Sequence, residues 1–339
     1  MKTEKFLFDG ENNKIALKAV AKILKNDGIV AIPTETVYGL AASAYSDSAI
    51  KKVFTAKGRP QDNPLIVHIS NMDMLYLIAA EVPSNALLLA EKYWPGPLTM
   101  VLKKTDKIAE SVSAGLSTVA VRMPSHIIAK SIIEYSGIPL AAPSANISGK
   151  PSTTTAEHVL NDLDGKVDGI VLADESAVGV ESTVVDLSVT PPRLLRPGAV
   201  TPEQLLEVLP DLVIDKAVLS ELKSGEKAAS PGMKYKHYSP ETELFLVEGT
   251  TEQFEDYVNQ KTNAVAIGFI EDTGVTIPFI SYGSKEDEST LAHNIFNVLR
   301  EIDKNKFSAA YVHAPSKNGI GLAVYNRLIR AAAFKVIRL

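Results

Sequence analysis

The stretch NNKIALKAVAKILKNDGIVAIPT, residues Asn12 to Thr34, decides the fold. Its first part, NNKIALKAVAKILKNDG, reads as an amphipathic helix, with apolar side chains at helical spacing and lysines between them. GIVAIPT follows directly as a short, buried strand. The same alternation of helix and strand continues over the first 210 residues, which predicts an α/β sheet domain. Further strands are expected in NPLIVHIS, LTMVLKK, TVAVRMP, LAAPSAN, GIVLADE and ESTVVDLS, and helices near Asp47 to Lys57, Ser84 to Tyr93 and Ser125 to Tyr135. Many of these strands end in Pro, Ser or Gly, where side chains would face a cleft.

From residue 211 to 240 the pattern loosens into a linker containing KAVLSELKSGEKAASPGMKYKHYSP. Beyond it, residues 241–339 alternate again: TELFLVEG, NAVAIGFI, PFISYG and AAYVHAP read as strands, and AVYNRLIRAAAF as the last helix. The expectation is a twisted open α/β sheet in residues 1–210, a linker, and a small Rossmann-like α/β domain. A chain of 339 residues with 45% hydrophobic and 22% charged side chains has the composition of two such domains.

Net charge is -5, from 35 basic and 40 acidic side chains, which argues against a whole-surface polyanion binder and allows a local basic pocket. The absence of cysteine excludes disulfides, thiolate nucleophiles and cysteine-containing zinc sites. The N-terminus lacks the apolar core of a signal peptide, and no apolar run reaches the length of a membrane span. No membrane association and a cytoplasmic location are the default expectation.

Several segments are candidates for chemistry. IKKVFTAKGRP carries Lys51, Lys52, Lys57 and Arg59 without an acid, and Gly58 would let the chain turn so that Lys57 and Arg59 converge on one phosphate. Cations at a helix C-terminus also answer its dipole, so both readings stand. PTETVYGL, Pro33 to Leu40, offers hydroxyls that would bind a small polar ligand or cap the next helix. His68 closes an apolar run, either as a hydrogen-bonded core residue or as part of a site. The six histidines form no close pair, so no histidine-based metal site is argued, and a divalent ion would arrive with nucleotide phosphates. In PSAN, Ser144 and Asn146 lie two apart on an extended segment and would point the same way, although a plain turn has the same composition. ESTVVDL and LLRPGAV, with Arg196 before a Pro-Gly turn, are commonplace singly.

Together, PTETVYGL, the KGR triplet, NPLIVHI, VAVRMP, PSAN, STVVDL, LLRPG and SPGMKYKHYSP, in this order and spacing, resemble the threonylcarbamoyl-AMP synthase family. The likeness is to its two-domain members, in which a YrdC-like catalytic domain is joined by a linker to a smaller C-terminal domain, and it covers nearly the whole chain. It implies a nucleotidyltransferase that condenses L-threonine, bicarbonate or CO2, and ATP to threonylcarbamoyl-AMP and pyrophosphate. Mg2+ would come with the ATP, and the product would pass to a tRNA threonylcarbamoyl-transferase. The family's Lys-Arg-Ser-Asn signature falls on Lys57, Arg59, Ser144 and Asn146. The resemblance places L-threonine against Thr36, His68, Arg122, the backbone at Ala142, and Ser182. It places ATP against Arg59, Asn63, Thr118, Ser144, Ser152, Arg196 and Tyr235.

In the linker, Gly232 would be a hinge, with Lys234, Tyr235, Lys236 and His237 folding over the nucleotide as a lid; a solvated basic tether is the alternative. SKNGIGLAV holds Gly319 and Gly321, but Val324 stands where a dinucleotide fingerprint needs glycine, so a turn and helix start are expected there. Two other functions stay open. YrdC-like domains resemble proteins proposed to hold double-stranded RNA, which would allow weak RNA binding, although an acidic balance and 6% aromatic content speak against it. They also occur in proteins that adenylate carbamoyl groups, whose zinc-finger portion a chain without cysteine does not have.

Overall fold

A computed structural model describes residues 2–8, 13–220, 237–304 and 307–339. The opening helix, Asn13–Lys25, buries Ala16, Leu17, Val20, Ala21 and Leu24, one stripe of an amphipathic cylinder. Strand Val30–Ile32 follows with every residue buried. Val30 and Ile32 point to one face of the sheet and Ala31 to the other, as the two-residue strand period requires. One face is covered by Asn13–Lys25 and Ile127–Ser136. The opposite core is formed with Asp47–Lys57, Met72–Ile78, Ser84–Tyr93 and Ala156–Leu163.

The first sheet contains β1 (Glu4–Leu7), β2 (Val30–Ile32), β3 (Gly39–Ser43), β4 (Ile66–His68), β5 (Leu98–Lys103), β6 (Thr118–Arg122), β7 (Leu140–Ala141), β8 (Gly169–Leu172), β9 (Thr183–Asp186), β10 (Arg193–Arg196) and β11 (Val213–Ile214). Their order is β1-β8-β2-β3-β7-β4-β6-β5-β9-β10-β11, with parallel and antiparallel neighbours mixed. Three registers position the site. His68 and Arg122 are partners on parallel β4 and β6, Thr99 of β5 lies opposite Arg122, and β5 begins beside β9 with Leu98 opposite Thr183. The ends of β4 and β6 therefore meet the start of β9, just after Ser182.

The second sheet is wholly parallel, in the order β14 (Phe279–Gly283), β13 (Ala264–Phe269), β15 (Ala309–His313), β12 (Glu243–Glu248), β16 (Val336–Arg338). Such a sheet requires crossover connections, supplied here by helices that include Glu288–Glu301 and Gly319–Ala331. SKNGIGLAV is a turn running into that last helix, with Gly319 at φ 54. Val37 and Val180 of the larger unit are buried in the core of the smaller one, so the two units share apolar packing. No helix among the described residues is long and apolar enough to cross a membrane.

Candidate active site

Helix Asp47–Lys57 is fixed at both ends. Ser46 Oγ accepts from the backbone N–H of Ala49, and Gly58, at φ 60, turns the chain left-handed and donates back to the last turn. That stop delivers Lys57 and Arg59 to a cavity also lined by Ser144 and Asn146. Lys57 is 2% exposed. Its ammonium donates to the carbonyl of Ser144, to the carbonyl of Asn146 at 2.5 Å and to Asn146 Oδ1 at 3.5 Å. Burial, and then Arg59, push its pKa well below that of an ordinary lysine. Three surrounding acceptors nevertheless match the three N–H bonds of the charged form. Lys57 is thus tied to the PSAN backbone instead of answering its own helix's dipole. The four cations of the segment divide: Lys51 and Lys52 are exposed beside Lys166, away from the cavity.

Ser144 and Asn146 face each other, with Ser144 Oγ donating to Asn146 Oδ1 at 2.5 Å. Gly39 forms an isolated bridge with Ser144, and an added Cβ at Gly39 would meet Ala142 Cβ at 3.2 Å, so only a small residue lets the two segments run this close. Arg59 Nη2 and both amide atoms of Asn63 are buried and lack a hydrogen-bond partner among the described residues. Buried polar groups are almost always paired, so these two side chains are left with capacity for a ligand. Burial lowers the Arg59 pKa to about 10, which keeps it cationic at neutral pH.

Arg122 donates to Thr36 Oγ1 at 2.7 Å and to the Gly96 carbonyl at 3.3 Å, and it lies 2.7 Å from the Glu35 carboxylate. Burial raises the pKa of that carboxyl, but Arg122 outweighs it and holds Glu35 below its usual range. Thr34 gives its hydroxyl proton to the Val37 carbonyl at 2.6 Å, so at the 2.9 Å Thr34–Thr36 contact the donor is Thr36. The hydroxyls of PTET are therefore a preorganised cluster around Arg122. His68 is pushed down to about 3, first by burial and then by Arg122, and is a neutral ring.

At the start of β9, Ser182 Oγ meets Thr99 Oγ1 at 2.8 Å and accepts from Arg196 at 3.1 Å, while Arg196 also donates to the Ser182 carbonyl at 3.0 Å. Burial lowers Arg196 to about 10, with Glu181 opposing. Gly198 makes this possible: a Cβ there would lie 2.4 Å from the Thr183 nitrogen.

One cavity thus gathers Thr36, His68, Arg122, Ala142 and Ser182 with Lys57, Arg59, Ser144, Asn146 and Arg196. Asn63 is buried but does not line it. Ser152 is set back, its hydroxyl given to Glu181 at 2.6 Å. Thr118 is also outside the lining, at the far end of β6 from Arg122, about 13 Å along the strand. Tyr235, Gly232, Lys234 and Lys236 fall outside the described residues, whereas His237 lines the cavity. Sequence reasoning left Glu181, Lys150 and Tyr238 of the lining unassigned. ESTVVDL is commonplace singly, and nothing in its spacing says that its carboxylate turns inward.

The chain is similar to known proteins over its whole length. Residues 22–198 match the family described as "Telomere recombination", and residues 200–333 match the "Threonylcarbamoyl-AMP synthase, C-terminal domain". A threonylcarbamoyl-AMP synthase of Pyrococcus abyssi is 43% identical, with 95% of each chain covered. One of Bacillus subtilis is 41% identical over the full length of both chains. The structure of P. abyssi Sua5 complexed with L-threonine superposes with a TM-score of 0.91 at 39% identity, covering the whole of both chains. From its two matched domains, its full-length relatives and its fold, the chain belongs to the two-domain threonylcarbamoyl-AMP synthase family.

Proposed function

We propose that the chain condenses L-threonine, CO2 from bicarbonate, and ATP into threonylcarbamoyl-AMP and pyrophosphate, the activated donor for threonylcarbamoyladenosine in tRNA. The observation that carries this reading is the composition of one cavity. It combines a carboxylate-binding arginine among hydroxyls, Arg122 with Thr36 and Ser182, with Lys57 and Arg59 for phosphates and with Arg196, held on Ser182, between the two sets. The amino acid would set its carboxylate on Arg122, with neutral His68 and Ser182 holding its polar groups. Arg59, with unused hydrogen-bonding capacity, would take the nucleotide with Ser144.

The threonine amine adds to CO2 and loses a proton, giving a carbamate. A carbamate oxygen then bonds to the α-phosphorus of ATP as the bond from that phosphorus to pyrophosphate breaks. No side chain needs to become covalently attached. The protein's contribution is proximity, exclusion of water from a short-lived carbamate, and cations fixed where phosphoryl charge develops. Magnesium enters with ATP as part of the substrate and neutralises the triphosphate oxygens. The product would then be consumed by a transferase that carries the threonylcarbamoyl group to tRNA.

The test is pyrophosphate release with ATP and magnesium, with threonine and bicarbonate omitted in turn. Release that needs both supports the condensation. Release that needs no amino acid but does need an added carbamoyl donor such as carbamoyl phosphate would favour a carbamoyl-adenylating activity, and no release in either arm from a folded, ATP-binding sample would sink both.

A further inference from the structure

The cavity that collects Lys57, Arg59, Arg122, Lys150 and Arg196 also has a buried carboxylate in its wall, Glu181. A bare carboxylate there would repel the phosphates the cations attract. Its neutralising partner comes from the smaller domain. Arg327, in helix Gly319–Ala331 and 0% exposed, donates Nε to Glu181 Oε2 at 2.9 Å and Nη2 to the Glu181 carbonyl at 3.3 Å. Its remaining donors reach the Pro197 carbonyl at 2.8 Å, in the turn after Arg196, and Asn326 Oδ1 at 3.0 Å. Glu181 Oε1 in turn accepts from Ser152. The loop bearing Ser152 is gripped from the same side: Arg300 donates to the Pro151 carbonyl at 2.6 Å and forks onto Asp162 at 2.8 and 3.2 Å.

We propose that Arg327 is a positioning residue for nucleotide binding, reaching across the domain interface to neutralise Glu181 and hold Ser152 and the Arg196 turn in place. The inference rests on the ATP-dependent reading above and assigns the smaller domain a part in the site. Arg327 touches no substrate. It acts through Glu181, so its loss weakens ATP much more than threonine, whose contacts centre on Arg122.

Calorimetric titration with ATP, and separately with threonine, tests this on the full chain. Arg327→Met is expected to weaken ATP at least about tenfold, while threonine affinity stays within about twofold. Adding Glu181→Gln removes the uncompensated charge while keeping an acceptor for Ser152, and restores most of the ATP affinity. Unchanged ATP binding in Arg327→Met overturns the proposal. So does an equal loss for both ligands without recovery in the double variant, which is the pattern of a purely structural arginine. If Arg327→Met does not fold, a folded, ATP-binding Glu181→Gln/Arg327→Met protein supports the charge argument, and a double variant that also fails to fold overturns it. A wild-type chain that binds ATP but releases no pyrophosphate would remove the proposed reaction and leave this affinity comparison standing.

Discussion

His68 shows how position in this sheet sets a side chain's chemistry. Its folded pKa near 3 lies below the ordinary 6.5, so the unfolded chain takes up a proton while the folded ring does not. The stability it contributes is complete above about pH 6.5 and is lost as pH falls toward about 3. Urea unfolding of the wild type and His68→Gln at pH 7 and pH 4.5 should show the wild type's relative stability falling by about 2–3 kcal/mol at the lower pH. Lys57 makes a different prediction. Lys57→Met leaves the Ser144 and Asn146 carbonyls without their donor and should cost about 2–5 kcal/mol in unfolding free energy, together with loss of pyrophosphate release. The charge pattern of IKKVFTAKGRP singled this segment out. It could not separate Lys51 and Lys52 from Lys57, because the separation depends on which helix face packs on the sheet. Nor could Thr118 and Ser152 be placed from sequence: one depends on which end of β6 faces the cavity, the other on a carboxylate 29 positions away.

Elements with strong periodicity were readable. Asp47–Lys57 and Ser84–Tyr93 form where the pattern puts them, and Ile127–Ser136 begins two residues after the expected Ser125. Strands built of small residues were not. β3, GLAAS, is fully buried but has little β-propensity and follows a run of hydroxyls that drew the eye to binding. β7 keeps only the first two residues of the expected strand LAAPSAN, and β10 and β11 take their strand character from pairing across the sheet, β10 with both β9 and β11. Glycines also mean different things in different elements. Gly58, at φ 60, has nothing within 4 Å of an added Cβ, so Gly58→Ala costs only backbone strain, about 1–2 kcal/mol. Gly179, at φ 83, would place a Cβ 2.4 Å from the Ala292 carbonyl oxygen and the His293 Cα in helix Glu288–Glu301. Gly179→Ala is therefore expected to cost more, roughly 2–4 kcal/mol, because rigid backbone of the smaller domain must move. Urea denaturation of the two variants side by side checks that order.

For the whole molecule, alternation of strand and helix gave the expectation of a large sheet followed by a smaller one, and the two sheets are formed as separate hydrogen-bonded units. The contact between them was not legible. Val37 and Val180 look like ordinary strand-flanking valines yet complete the second core, and Arg300 and Arg327 look like the polar face of surface helices yet are clamped onto the first domain. Long-range pairing of this kind has no local signal. Net charge was similarly uninformative about the site: an acidic protein concentrates buried cations in one cavity, where low local polarity makes them most effective on phosphate. The central claim is that this cavity joins an amino acid, CO2 and the α-phosphate of ATP. The most direct measurement is mass spectrometry of the nucleotide product formed with 13C-bicarbonate, unlabelled L-threonine and ATP. The account predicts an adenylate one mass unit heavier than its unlabelled counterpart that contains the threonine moiety. An adenylate containing threonine without the label, or AMP alone, would contradict it.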